Sequence, residues 1–247
     1  MITVYTCIAG RYDSLIQQKQ FEDVEYVCFC DVKQFKSHKG WKLLPLISPE
    51  DISAPNLINR YHKMLAYHYF DSNYSVYIDG NVVLKADPKS FTNFLEQKQQ
   101  YLGMFRHPER DNISQELEAI LSQRRIEGEM ISRAIEFVTS SKNEGFFNQN
   151  GLSGNYIIVR KVSHEALKTV MHQWWEVVVN IVDRDQLSLQ YLLWKVGLDW
   201  SALDCVIQPK KAFIQIPHGY YLPFISIVGQ AFLKKVIIKF KLFFGVN

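Results

Sequence analysis

The residues of this chain with the most chemistry to offer lie at Tyr77-Ile78-Asp79-Gly80-Asn81. A carboxylate placed directly after buried aromatic and β-branched residues, then glycine and an amide oxygen, suits a hard divalent cation bridging two phosphates. By ligand chemistry that cation is Mg2+ or Mn2+. The glycine lets backbone come close to a ligand. Asp-Gly-Asn between apolar runs is equally the signal of a β-hairpin turn, and at this level both readings stand. A second acid cluster, Asp183-Arg184-Asp185-Gln186, opens a helical pattern that runs from Asp185 to Val196. Its carboxylates can cap that helix and favour its dipole, or one can face a reacting hydroxyl as general base or positioning group. Trp174 and Trp175, among Val177, Val178 and Val179, read as core packing in preference to a stacking platform.

These residues need a frame. Ile2–Ala9 reads as a buried strand ending at Gly10, Glu25–Asp31 as a second strand ending in an acid, and Trp41–Leu46 as a short third. Leu57, Tyr61, Met64, Leu65 and Tyr69 recur at helical spacing over Asn56–Phe70, leaving Arg60 and Lys63 together on a neighbouring face. Ser75–Leu84 is a strand interrupted by Asp-Gly-Asn, Pro88 opens a helix to Gln99, and Tyr101–Phe105 is a strand running into His107. A long helical segment, Ile113–Lys142, breaks near Gly128 and leads to a Gly/Asn-rich loop. The strand Tyr156–Val159, a helix over His164–Val182, the helix from Asp185 and a short last strand including Val206 complete the pattern. Strands alternating with helices imply a mainly parallel sheet covered on both faces. Ligands then gather at strand carboxyl ends near the reversal of strand order, and Gly10, Asp31, Asp79 and His107 all fall at predicted strand ends.

Composition narrows the class. With 47 % hydrophobic and 21 % charged residues, 247 residues make one folded domain. The net charge of +3 is concentrated in Lys234, Lys235, Lys239 and Lys241, so the body is near neutral and lacks the basic stripe of a nucleic-acid binder. Cys7, Cys28, Cys30 and Cys205 have no metal-ligand spacing and read as reduced core residues of a cytosolic protein. The first residues enter a strand directly, without the basic and apolar regions of a signal peptide. From residue 220 on, an apolar run passes into KKVIIKFKLFF, in which lysines alternate with Phe240, Phe243 and aliphatic residues. Such a tail suits an anionic membrane surface, with the lysines snorkelling, or a helix closing the core. The expected division is a domain over 1–219 and a basic amphipathic tail over 220–247, with the protein cytoplasmic and peripheral on the inner face of the membrane.

Taken in order, VYTCIAGRYDSL (Val4–Leu15), YVCFCD (Tyr26–Asp31), NRYHKMLAYHYF (Asn59–Phe70), YIDGNV (Tyr77–Val82) and HPER (His107–Arg110) resemble the glycosyltransferase-like family long catalogued as domain of unknown function 616, of GT-A type. GLSGNYIIVR (Gly151–Arg160), QWWEVV (Gln173–Val178) and RDQLSLQY (Arg184–Tyr191) continue the resemblance over roughly the first 200 residues. It implies a GT-A-like α/β fold and a nucleotide-sugar donor, UDP- or GDP-linked, held near Ala9, Gly10 and Tyr12, with Asp31 by the base or ribose. Arg60 and Lys63 would face the donor phosphates, since cations stabilise a pyrophosphate leaving group. Asp79 and Asn81 would hold the metal, with His218 completing it, although Asp-Gly-Asn departs from the usual Asp-x-Asp. The resemblance favours Asp185 over Asp183 on the acceptor side and makes His107 and Arg110 sugar or acceptor contacts. The function implied is hexosyl transfer to a lipid-linked or saccharide acceptor in bacterial surface polysaccharide synthesis. A catalytically decayed binding protein of the same fold, and a sugar nucleotidyltransferase, are the other readings.

Overall fold

ITVYTCI is built of β-branched and aromatic residues, its two threonines included, with no charge, and a strand of that kind must be covered on both faces. In the computed structural model, which describes residues 1–10, 12–35, 39–49, 51–147 and 151–218, this strand (β1, Ile2–Ile8) is buried at every position. Tyr5 and Cys7 face one core, while Ile2, Val4 and Ile8 face the other. β1 lies parallel to β2 (Val24–Cys30) on one side and to β4 (Tyr74–Ile78) on the other, and β2 is parallel to β3 (Lys42–Pro45). β7 (Ser153–Lys161) runs antiparallel between β4 and β6 (Leu102–Arg106), and β8 (Ser201–Ala202) closes the edge parallel to β6. The order is β3-β2-β1-β4-β7-β6-β8, so chain direction along the sheet reverses at β1/β4.

One face carries α1 (Pro55–Leu65), α3 (Ile113–Ser122), α4 (Glu129–Asn143), α5 (Glu165–Asn180) and α6 (Leu189–Lys195), whose apolar stripes merge in one core with Tyr5 and Tyr77. α2 (Pro88–Gln97) covers the other face through Phe91 and Leu95. Asp87 caps α2 and Pro88 takes its first turn, as the sequence implies. The predicted break near Gly128 is real: Gly128, at φ 58°, separates α3 from α4.

Several expectations are corrected. The helix expected from Asp185 begins at Leu189, after Ser188, so neither Asp183 nor Asp185 caps it. The helix expected over Asn56–Phe70 ends at Leu65 and tightens into a 3-10 turn, Ala66–Tyr69. Val206 ends a 3-10 turn at Leu203–Cys205 instead of lying in a strand. Three of the helices and strands escape the sequence pattern, β8, the short α7 (Pro209–Ala212) and β9 (Phe213–Gln215). β9 pairs antiparallel with β5 (Val82–Leu84) in a second, two-stranded sheet. Cys7, Cys28 and Cys30 are buried, but Cys205 is exposed and not a core residue. Among the described residues, no helix is long and apolar enough to cross a membrane. The tail over 220–247 lies outside the described residues.

Candidate active site

A cavity of 420 Å3 opens at the carboxyl ends of β1 and β4, where the strand order reverses. Its wall on one side is a stripe of α1. Asn56, Asn59, Arg60 and Lys63 recur at the i, i+3, i+4, i+7 spacing of one helical face, and all four line the cavity. Asn59 Nδ2 donates to Cys7 O at 2.7 Å and ties that face to the end of β1. At the start of α1, Pro55 lies against Gly10, where a Cβ would come within 2.6 Å of Pro55 Cβ and φ is +64°. Gly10 is therefore needed for helix packing and does not line the cavity.

Opposite the stripe stand the acids. Arg60 NH1 meets Asp183 Oδ1 at 2.7 Å, and Asn56 donates to the same carboxylate. Lys63 Nζ meets Asp185 Oδ2 at 2.7 Å and Asp79 Oδ1 at 3.4 Å. Burial alone would lower Lys63, but Asp185 and Asp79 together raise it above its ordinary value. Burial alone would raise Asp185, but Lys63 and Arg60 hold its carboxyl below the usual range. Burial prevails at Asp183, which is raised despite Arg60. Two neighbouring carboxylates are thus driven apart in acidity by their surroundings, the pattern by which sites divide roles between acids.

The Asp79-Gly80-Asn81 segment is a tight turn, closed by Val82 N–H donating to Asp79 O at 2.9 Å. It is not a hairpin, because β4 stays in the large sheet and β5 leaves to pair with β9. What approaches Gly80 is the Asp13 side chain, whose Oδ2 lies 3.0 Å from where a Cβ would stand. Asp13 accepts from His218 Nδ1 at 3.0 Å, and this pairing raises the histidine above its ordinary pKa. His218 also packs on Tyr12, with ring centroids 4.9 Å apart. Asn81 is 3 % exposed and spends Nδ2 on Ile216 O at 2.7 Å, anchoring the segment that carries His218. Its Oδ1 is buried with no hydrogen-bond partner among the described residues, an acceptor left over for a donor or a cation. No group of three or more His, Cys, Asp or Glu among the described residues is gathered to hold a metal ion. Asp79 and Asn81 Oδ1 nevertheless fit Mg2+ or Mn2+ of the kind that takes one or two protein oxygens and completes its shell on phosphates.

The Asp185 loop is held from behind. Trp174, fully buried as expected, donates Nε1–H to Asp185 O at 2.9 Å. Asn155 Nδ2 reaches the same carbonyl at 3.4 Å, and Asn155 accepts from Ser153, which accepts from Gln190 Nε2 at 2.7 Å. α1 has a comparable prop. Arg160 on β7 is 0 % exposed and donates to Tyr5 Oη at 2.6 Å, Lys63 O at 2.7 Å and Met64 O at 3.1 Å. Its guanidinium also lies over the Tyr67 ring, 4.5 Å from the centroid. A cation at the carbonyl end of a helix complements its dipole, and here it holds the last turn that presents Lys63.

Of the residues expected in the site, Ala9, Tyr12, Arg60, Lys63, Asp79, Asp183, Asp185 and His218 line one cavity, with Asn81 directly behind. Asp31 does not line it; exposed at the end of β2, it caps a 3-10 turn by accepting from Lys33 N–H. His107 and Arg110 do not line it either. His107 Nδ1 accepts from Glu109 and Arg110 N–H, and Arg110 is ion-paired with the buried Glu116. They build the turn before α3. Asp13, Asn56, Asn59 and Arg160 were not anticipated. The helical spacing of Asn56 and Asn59 with Arg60 and Lys63 is a signal for two of them, whereas Asp13 and Arg160 have no local signal.

A mixed, mainly parallel sheet flanked by helices, with a polar cavity at its switch point, defines a GT-A-like fold. The model of the TOD1/MUCI70 glycosyltransferase-like domain matches residues 40–208, and the chain belongs to that family. No curated protein matches it. Among solved structures, mouse xyloside xylosyltransferase 1 (apo form) is similar at 8 % identity and TM-score 0.43, over 83 % of this chain and 84 % of that one. The galactosyltransferase LgtC, in complex with donor and acceptor sugar analogs, is similar at 11 % and 0.42, over 81 % and 73 %. The bifunctional glycosyltransferase WbbM, in its apo structure, is similar at 12 % and 0.42, over 82 % and 38 %.

Proposed function

We propose that this chain transfers a hexosyl group from a UDP- or GDP-sugar to a saccharide or lipid-linked saccharide acceptor. One observation carries the reading: the switch-point cavity faces two helix-borne cations, Arg60 and Lys63, with three carboxylates, Asp79, Asp183 and Asp185. In transfer, the bond from the anomeric carbon to the donor's phosphate oxygen breaks and the acceptor oxygen takes its place. Arg60 and Lys63 suit the negative charge gathering on the departing diphosphate. Asp79 and Asn81 Oδ1 would hold a divalent cation, which when bound supplies Lewis-acid stabilisation of that leaving group. Asp185, kept ionised by its cations, orients the acceptor hydroxyl; Asp183, with its raised pKa, is the better proton acceptor of the two.

Nucleotide binding tests this directly. UDP or GDP with Mn2+, at a hundred times its Kd, should stabilise the protein by about 2.7 kcal/mol and raise the melting temperature. Asp79→Ala should keep the fold, because its partly exposed carboxylate contributes little packing, yet lose most donor turnover. A nucleoside diphosphate that leaves melting unchanged at every metal concentration removes the donor reading. Binding without turnover on a donor panel leaves the decayed binding protein, the reading that Asp-Gly-Asn favours. The family-level resemblance and the basic, aromatic tail support a peripheral position at an anionic cytoplasmic membrane face, in surface polysaccharide synthesis.

A further inference from the structure

A second cavity, of 190 Å3, lies between the end of α4 and the end of α6, outside the site described above. Its walls combine two kinds of group. Phe147 and Trp194 present aromatic surface to solvent, 70 % and 43 % exposed. Two exposed aromatic faces meeting in one cavity wall are a feature of ligand-binding grooves. Within the cavity wall, Trp200 is only 7 % exposed, and its indole Nε1–H is buried without a hydrogen-bond partner among the described residues. An unpaired buried donor costs stability unless a ligand or water satisfies it. Gln190 and Asp199 add polar groups to the same wall.

Aromatic faces beside hydrogen-bond donors and acceptors match a sugar ring, which offers apolar C–H faces and a girdle of hydroxyls. The volume suits about one ring. A nucleobase would use the aromatics equally well, but its phosphates would demand cations, and among the described residues neither Lys nor Arg lines this cavity. A chain of hydrogen bonds links its wall to that of the first cavity. Gln190 in its wall donates to Ser153, Ser153 bonds Asn155, and Asn155 donates to the carbonyl of Asp185, which lines the donor cavity. Five residues of chain span the same interval, at most ~18 Å fully extended.

We propose that this second cavity is a saccharide subsite that holds a distal sugar unit of the acceptor, Trp200 Nε1–H donating to a hydroxyl and Phe147 and Trp194 covering the ring. The acceptor assignment rests on the glycosyltransferase reading; the saccharide assignment does not. An acceptor so held is at least a disaccharide, with the terminal unit beside Asp185. Aromatic contacts at Phe147 and Trp194 then contribute affinity remote from the reacting hydroxyl.

The five tryptophans give a direct readout through their indole N–H resonances in the 15N-labelled full chain, with Trp200 assigned by Trp200→Phe. The probes are methyl glycosides of glucose, galactose, mannose, xylose and N-acetylglucosamine, together with lactose, maltose and cellobiose, each titrated to its solubility limit. At least one probe should move the Trp200 resonance saturably, and a disaccharide should do so at lower concentration than its monosaccharides. Phe147→Ala with Trp194→Ala, both at exposed positions, should weaken that binding about tenfold in a protein whose unchanged urea midpoint shows it folded. If UDP or GDP binds the protein but no probe moves Trp200, the subsite is wrong and the donor reading is untouched. A probe that moves Trp200 equally in the double variant also overturns the proposal. Saturable movement without any nucleotide binding leaves the saccharide subsite standing and removes the transferase reading instead.

Discussion

Asp185 shows how far one side chain's role depends on what surrounds it. Its carboxylate is buried against Lys63, its carbonyl accepts from Trp174, and it stands outside the helix it was expected to open. Since it caps nothing, Asp185→Asn should leave helix formation alone and act through charge. Sugar transfer should fall by about a hundredfold or more, while nucleotide affinity stays within about twofold, read by a donor-turnover assay beside a nucleotide titration. Wild-type turnover in the variant would shift the acceptor-side role to Asp183. The same reasoning separates Arg60 from Lys63. Arg60 is paired with the raised Asp183, whereas the buried Lys63 lies between two acids in the cavity wall.

At the scale of the element, α1 is the part that makes the site. It offers four polar residues on one stripe, and both its end and its flank are fixed by buried groups. Arg160 secures the end. Arg160→Met should cost about 2–3 kcal/mol, because hydrogen bonds from a charged donor are lost and Met64 O is left buried. The loss would be read as a lower urea midpoint at unchanged m. His62 secures the flank, accepting from Ile47 N–H at 3.0 Å through Nε2 and holding Ile58 O at 2.7 Å through Nδ1. Burial pushes its pKa down to about 4 from an ordinary 6.5. Between those values the unfolded chain binds a proton at this position and the folded chain does not, so stability is full above the unfolded pKa and falls as pH drops toward 4. The loss is about 3 kcal/mol over that window, and His62→Gln should remove that share in urea titrations across pH, leaving the shares of His68 and His107, which burial also pushes down to about 4. A wild-type slope equal to the variant's would mean that the imidazole is protonated in place.

At the scale of the whole molecule, the tail over 220–247 bears on how the proposed transferase would meet its acceptor. The lysines at 234, 235, 239 and 241 contribute on the order of 1 kcal/mol each near an anionic surface, screened within about one Debye length. Binding to anionic liposomes should therefore weaken with salt but keep a residue from the interleaved Phe and Ile side chains. Deleting 221–247 should free the protein from liposomes and spare turnover on a soluble acceptor, measured by flotation and by nucleotide release. Unfolding of the truncated chain would show instead that the tail completes the core, and indifference of the full chain to liposomes at low salt would end the membrane reading.

What the sequence determined by itself is whatever rests on neighbours along the chain. β1 and β4 are legible because short runs rich in β-branched and aromatic residues, bounded by turn residues, favour buried strands, and Asp79 is legible as a strand-end acid. The stripe of α1 is legible because helical periodicity puts Arg60 and Lys63 on one face whatever lies opposite. The ordered motifs from Val4 to Tyr191 were enough to indicate the family. Periodicity names a face but not its partner, and there the tertiary structure decided. It joined Asp13 to His218 across 205 residues, brought Arg160 under the end of α1, and sent β5 away from β4, so that a turn read as a hairpin became the floor of a cavity. It also left Asp31 and His107, strand-end residues like Asp79, outside the site. Strand ends are equivalent in sequence, but β1 and β4 diverge at the reversal of strand order, and the gap between them is where a ligand fits.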